Sequence, residues 1–254
     1  MLLDIETSLL LFFGFFIIAT FYSSVGFGGG SSYLALLSLF AFSFFFIRSN
    51  ALICNLLVVS GSTYLFYKNG HFSIRDFLPF IITSIPMAFI GALFKLEEKV
   101  FFILLGVTLI LSAISLFYQA LSKSVSKPKV YPKYMSYVLG AGIGLLSGLV
   151  GVGGGIFLAP LLNHLRWGKP VKIAALAAFF ILVNSASGLV GLFVSGTLEI
   201  SWSTTLVLLV AVVLGGQLGV RFSLKKASPK AIRIGTAILV LLVGLRILIN
   251  RAFY

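Results

Sequence analysis

Long apolar segments separated by short polar connections run along the whole chain. They cover residues 8–47, 50–67, 74–94, 100–121, 134–165, 171–195, 201–220 and 231–249. A helix that crosses the hydrocarbon core of a bilayer once needs about 20 residues, and six of these segments have roughly that length. The other two, 8–47 and 134–165, are too long for one crossing. The pattern therefore predicts six spanning helices and two segments that turn back within the membrane.

Each of the two long segments contains three consecutive glycines, at positions 28–30 and 153–155. Glycine in a helix interior costs about 1 kcal/mol relative to alanine. A broken helix also leaves backbone N–H and C=O groups that lipid cannot satisfy, so such breaks persist only inside protein or beside a watery cavity. We therefore expect each long segment to be a helical hairpin whose turn lies at its glycines.

The two glycine runs belong to an internal repeat. The matched positions are 25–30 with 150–155, Asn55 with Asn184, Gly91 with Gly219, and Gly106 with Gly235. Their order is kept, and their offset rises only from 125 to 129. We predict a first repeat at 1–122, a linker at 123–133 and a second repeat at 134–254. Each repeat then contains one glycine-broken hairpin and three transmembrane helices.

The basic residues orient these repeats, because cytoplasmic loops collect Lys and Arg. Four lysines lie in the linker 123–133, and the loops at 166–172 and 221–233 are basic as well, whereas 195–201 has no Lys or Arg. We therefore place the linker in the cytoplasm and both termini outside it. Since the linker and 166–172 share one side, segment 134–165 must enter and return. Repeats of this kind are expected to be inverted, related by a pseudo-two-fold axis in the membrane plane.

Composition agrees with this assignment. The chain is 59% hydrophobic and only 10% charged, against roughly 25% charged residues in a soluble domain. It is predicted to be an all-α polytopic protein of the inner or plasma membrane, with the lipid bilayer as its surroundings. The net charge of +13 is accounted for by the basic loops, and we expect no nucleic-acid partner.

The half-helices that begin after each glycine run predict the chemistry of the site. Their N-termini present free N–H groups and a positive dipole end, and in inverted-repeat transporters such ends point at anionic substrates near the midplane. The predicted substrate-binding residues are Gly28, Gly29, Gly30, Ser31, Ser32, Asn55, Gly153, Gly154, Gly155, Asn184 and Gln217. Two alternatives stay open: the glycines serve only close helix packing, and the two asparagines only tie down broken backbone.

The remaining polar residues narrow the function. All six acidic residues map to segment ends or loops, so neither a carboxylate proton relay nor a metal site is expected, and no cofactor. Coupling to sodium, or to a proton carried by the substrate, stays open. Arg48 and Arg246 are expected to extend to the membrane interface, and Cys54 to be a small packed residue. We expect no enzymatic activity.

The paired VGFGGG and VGVGGG motifs, in a chain of about eight apolar segments with a basic central linker, resemble the TauE/SafE family of membrane permeases. The family pattern follows each glycine motif with a proline; here Pro160 follows the second, whereas the first has leucines in that region. The resemblance implies transport of a small sulfur-containing anion, such as sulfite or an organosulfonate. An anion-selective channel and a carrier of another small organic anion are the alternatives, and either a monomer or a homodimer fits.

Overall fold

The structure is a computed structural model that describes residues 4–24, 28–40, 42–121, 129, 131–225 and 229–249. Within these residues it contains ten helices and no strand, which confirms the all-α class. The helices are α1 (Ile5–Ser24), α2 (Gly30–Leu37), α3 (Phe44–Lys68), α4 (Ile74–Leu93), α5 (Glu98–Leu121), α6 (Lys133–Val150), α7 (Gly155–Leu165), α8 (Pro170–Val194), α9 (Trp202–Lys225) and α10 (Pro229–Ile247). Most of the predicted linker 123–133, namely 123–128 and 130, lies outside the described residues.

Seven of the described helices are long and apolar enough to cross a membrane: α1, α3, α4, α5, α6, α8 and α9. Large apolar side chains cover their outer faces, for example Phe13, Leu111 and Phe193. In water such a surface would be costly, but lipid tails solvate it. Helix α3, with 25 residues, is about 37 Å long at 1.5 Å per residue.

Helices α3 and α8 form the centre of the molecule. They contact each other, and they are the two most deeply buried of the candidate spans. Around this pair, α4 packs against α6 and α8, while α1 and α3 both pack against α9. Helices α5 and α10 pack together. Small residues make the closest of these contacts: Gly91 lies against the backbone of α6, and Gly219 lies against Thr20 of α1.

The helices break at the glycines, as the sequence pattern predicts. Helix α1 ends at Ser24, and α2 begins at Gly30 with Gly29 as its N-cap. Helix α6 ends at Val150, and α7 begins at Gly155 with Gly154 as its N-cap. Three residues of the first motif, 25–27, lie outside the described residues.

The structure corrects one predicted boundary. The apolar pattern predicts that the segment 8–47 ends in a loop before the span 50–67, but α3 begins at Phe44 and runs through this region without interruption. Its N-cap Ser43 accepts a hydrogen bond from the N–H of Phe46 at 3.1 Å. The polar stretch Arg48-Ser49-Asn50 suggests a loop, yet all three residues are buried helix residues with internal partners. Asn50, for instance, accepts a hydrogen bond from Thr205 of α9 at 2.6 Å.

Candidate functional site

The backbone path of the first break depends on its three glycines. Gly29 adopts a left-handed conformation with φ of 88°, which L side chains adopt only at a cost. Gly28 and Gly30 lie directly against Asn55 of α3, so that a Cβ on either glycine would overlap the Asn55 amide. All three glycines are buried. The run of three is therefore explained by one backbone requirement and two close approaches.

The second break follows the same design. Gly151, Gly153 and Gly154 have φ angles of 72°, 83° and 82°. A Cβ on Gly153 would lie 2.7 Å from Ile181 and 2.9 Å from the hydroxyl oxygen of Ser185, both on α8. Gly155 also lies against Ile181, and residues 151–155 are buried.

The side chain of Asn55 joins the two breaks. Besides its contacts with Gly28 and Gly30, its Nδ2 donates a hydrogen bond of 3.0 Å to the carbonyl of Val152. The same nitrogen would lie 3.2 Å from a Cβ on Gly153. Asn55 is completely buried, and its Oδ1 has no hydrogen-bond partner among the described residues. One amide in the middle of α3 therefore contacts the broken backbone of both halves of the chain.

Asn184 does not hold the equivalent place. Its Nδ2 donates to the carbonyl of Phe180 in its own helix at 2.8 Å, and its Oδ1 has no partner in the described part of the chain. Helices α3 and α8 both have 25 residues and begin 126 positions apart, a shift that matches Asn55 with Ile181. The contacts agree with this match, because Ile181 lies against the second break in the same way as Asn55 lies against the first. The shift of 129 that pairs the two asparagines is one helical turn away.

Hydroxyl groups surround both breaks. The Tyr22 and Ser32 hydroxyls are 2.6 Å apart, and Ser31 lies 3.4 Å from the same tyrosine oxygen. Tyr33 lies close to Gly29, and its buried hydroxyl has no partner within the described ranges. At the second break, the buried Ser147 of α6 packs against Gly154, and the described residues offer its hydroxyl no partner either.

Buried polar groups without partners concentrate here. Among the described residues seven such side-chain atoms occur, and five of them belong to residues in contact with a break: Tyr33 Oη, Arg48 Nε, Asn55 Oδ1, Ser147 Oγ and Ser185 Oγ. A buried polar group without a hydrogen bond costs about 1–3 kcal/mol. Unpartnered buried polar groups are rare in native proteins, and a bound polar ligand or water is one explanation of such a cluster. Tyr33, Ser147 and Ser185 are not among the site residues that the sequence pattern predicts.

Arg48 corrects an expectation. Its position near a segment end predicts a side chain that reaches the membrane interface, but the residue is only 1% exposed. Its Nη2 donates to the carbonyl of Gly148 in the last turn of α6, and its Cγ would lie 2.7 Å from a Cβ on Gly151. The guanidinium thus lies beside the second break. The sequence shows no sign of this, because an arginine near a segment end is usually interfacial.

Gln217 lies apart from this cluster. It is exposed on α9, with its amide nitrogen beside Gly61 of α3, six residues along from Asn55. A cavity of about 440 Å³ lies between α1, α2 and α10, lined mainly by apolar side chains together with Ser32, Ser38 and Arg246. Among the described residues no group of three His, Cys, Asp or Glu side chains has the arrangement of a metal site.

Comparison with known proteins places this architecture in a family. The family model described as "Sulfite exporter TauE/SafE" matches residues 10–247, nearly the whole chain. The chain belongs to the TauE/SafE family. A relative from Sinorhizobium fredii (strain NBRC 101917 / NGR234), "Probable membrane transporter protein y4hK", is 35% identical over 240 residues, which are 92% of this chain and 95% of the relative.

A second relative comes from Bacillus subtilis (strain 168). "Probable membrane transporter protein YunE" is 27% identical over 212 residues, which are 76% of this chain and 77% of the relative. No solved structure matches the chain. Membership of the TauE/SafE family, together with the apolar helices, makes this protein a multi-pass membrane transporter.

Proposed function

We propose that this transporter is a permease that moves a small sulfur-containing oxyanion, such as sulfite or an organosulfonate, across the inner or plasma membrane. The observation that carries the proposal is the meeting of the two breaks at Asn55, where buried hydroxyl groups without partners among the described residues lie beside the N-termini of α2 and α7. An oxyanion brings several acceptor oxygens, which match the N–H and hydroxyl donors there. The description of the matching family, a sulfite exporter, points to the same substrate class.

The site belongs to a proposed inverted repeat. Exchanging α1–α5 with α6–α10 converts the pair α1·α9 into α6·α4, α3·α9 into α8·α4, and α2·α3 into α7·α8; all of these pairs are in contact. The pairs α3·α8 and α5·α10 convert into themselves. This correspondence supports a pseudo-two-fold axis that passes between α3 and α8, close to Asn55. A site on such an axis can be reached from either side by rocking one half against the other.

Counterflow in liposomes tests the transport proposal. The purified protein is reconstituted into vesicles loaded with unlabelled sulfite, taurine, methanesulfonate or toluenesulfonate, and the uptake of the same labelled anion is followed. A carrier exchanges internal for external anion and therefore accumulates label transiently, whereas a channel does not. We expect counterflow with at least one of the four anions. Its absence with all four would overturn the sulfur-anion permease, and flux without counterflow would favour the channel.

Variants connect the flux with the breaks. Gly154→Ala places a side chain at φ of 82° and 2.8 Å from the ring of Phe180, and we expect it to abolish counterflow. Gly142→Ala is the control, because a Cβ at Gly142 meets nothing within 4 Å. Both variants are compared at equal amounts of monodisperse protein. Full counterflow by Gly154→Ala would show that the second break is not part of the site. Repeating the assay with imposed sodium and proton gradients identifies a coupling ion.

A further inference from the structure

Arg48 is a buried cation that has no carboxylate partner among the described residues. The chain has six acidic residues. Five of them are exposed, and the sixth, Asp76, forms an ion pair with Lys172 of α8. Glu199 comes near the start of α3 but bonds to serines there, through its carboxylate to Ser43 and through its N–H to Ser49.

Burying a charge without a counter-charge costs several kcal/mol. One contact offsets part of this cost, since Arg48 donates to the Gly148 carbonyl at the C-terminus of α6, where the helix dipole favours a cation. A guanidinium has five N–H donors, however, and the Nε of Arg48 is buried without a partner in the described part of the chain. Capping α6 therefore accounts for a bond from Nη2 and leaves the N–H of Nε without an acceptor among the described residues.

The position of Arg48 connects it with the proposed site. It lies seven residues before Asn55, two turns along the same face of α3. This face meets the second break at both places: Arg48 contacts Gly148 and Gly151, and Asn55 contacts Val152 and Gly153. One strip of α3 thus carries a cation and an amide along the same break.

We propose that Arg48 is the cationic group that binds the transported anion, with its free Nε–H donating to an oxygen of a sulfite or sulfonate group. This inference rests on the proposed function and adds the residue that gives the site its preference for negative charge. The second repeat has no equivalent cation, because a shift of 126 residues matches Arg48 with Ala174. The anion is therefore held from one half of the molecule, although the helix breaks come from both.

Thermal melting of the detergent-purified full chain tests this role. The protein is titrated with sodium sulfite, taurine, methanesulfonate and toluenesulfonate, with sodium chloride at equal ionic strength as the reference. A ligand that binds the folded state raises the melting temperature as its concentration exceeds Kd. For the anion that stabilises the wild type, we expect Arg48→Gln to weaken binding about 30-fold or more, since one partner of a buried charge pair is removed.

Melting without anion distinguishes this role from helix capping. The glutamine amide introduced by Arg48→Gln carries no charge, so on our proposal the variant melts at or above the wild-type temperature without anion while losing the anion response. If Arg48 only caps α6, the variant melts lower and keeps the same Kd, and that result would overturn the proposal. Arg48→Lys keeps the charge and should retain a weakened melting response to the anion. It tests the proposal if Arg48→Gln does not fold.

Two further readouts separate the failure of this inference from the failure of the proposed function. Arg75→Gln is the matched control, since Arg75 is exposed at the start of α4, and its response should equal that of the wild type. An unchanged response in Arg48→Gln would refute the role of Arg48 and leave the permease standing. A wild type that responds to none of the four anions would instead refute the proposed function.

Discussion

The glycines of the two breaks are of two kinds, and each kind is expected to respond differently to an added side chain. Gly29, Gly153 and Gly154 have positive φ angles, so any L side chain there is strained. Gly28 and Gly30 are restricted by contact with Asn55 instead. The first kind fixes the shape of the break and the second brings it against α3. Residues of the second kind can be tested together with their partner.

Gly30→Ala should disturb the site through Asn55. The added Cβ overlaps the Asn55 amide, and such overpacking costs about 1–3 kcal/mol, so we expect a lower melting temperature and loss of transport. Asn55→Ala in the same chain should recover part of the loss caused by Gly30→Ala, because it removes the overlapping atoms. A double-mutant cycle measures this coupling. Additive effects would show that the two residues do not meet, and Gly216→Ala, with its nearest neighbour atom at 3.5 Å, is the control for alanine in a helix.

The two asparagines should also differ from each other. Asn55→Ala leaves the buried Val152 carbonyl without its donor, at a cost of about 1–3 kcal/mol. Asn184→Ala removes only a bond back to Phe180 in its own helix, where the carbonyl keeps its helical partner, and should cost less. We expect a larger fall in melting temperature and in transport for Asn55→Ala. Equal effects of the two substitutions would contradict the central place of Asn55.

At the scale of helices, the periodicity of apolar residues is sufficient to predict the membrane segments but not their polar interior contacts. The stretch Arg48-Ser49-Asn50 resembles a loop because three polar residues interrupt an apolar run. Its partners, such as Thr205 and Gly148, lie 100 or more residues away, and no local pattern reveals them. The glycine breaks are predictable because the glycines that the broken backbone requires are consecutive in the sequence. The asparagine match fails by one turn because sequence spacing alone does not fix which face of a helix meets a break.

Close packing of α4 against α6 leads to a prediction of its own. A Cβ at Gly140 of α6 would overlap the backbone of Phe80, whereas Gly142, two residues further on, faces open space. Gly140→Val should therefore separate the helices and lower the melting temperature, and Gly142→Val should leave it nearly unchanged. Thermal unfolding of the two purified variants, followed by circular dichroism, compares the same chemical change on opposite faces of one helix. A similar melting temperature for both would contradict this packing.

The whole molecule combines a symmetric pattern of helix contacts with an asymmetric site. The helix pairs correspond when the two halves are exchanged, yet Asn55 and Arg48 are both on α3, and the matching positions of α8 are Ile181 and Ala174. Symmetry is what alternating access requires of the scaffold. The proposed anion, by contrast, needs only one set of charged and polar ligands. The halves can therefore differ in the site while keeping the same packing.

The predicted topology places the loops after α7 and α8 on opposite sides of the membrane, and cysteine labelling tests this. The sole cysteine, Cys54, is fully buried, so the parent chain should not react with a membrane-impermeant maleimide. Lys169 precedes α8, Ser203 lies in the first turn of α9, and both are exposed. The basic loop 166–172 predicts that Lys169→Cys reacts only after the cells are permeabilised, while Ser203→Cys reacts on intact cells. Labelling of both variants from outside would mean that α8 does not cross the membrane between them, and the predicted topology, on which the inverted repeat rests, would then have to be abandoned.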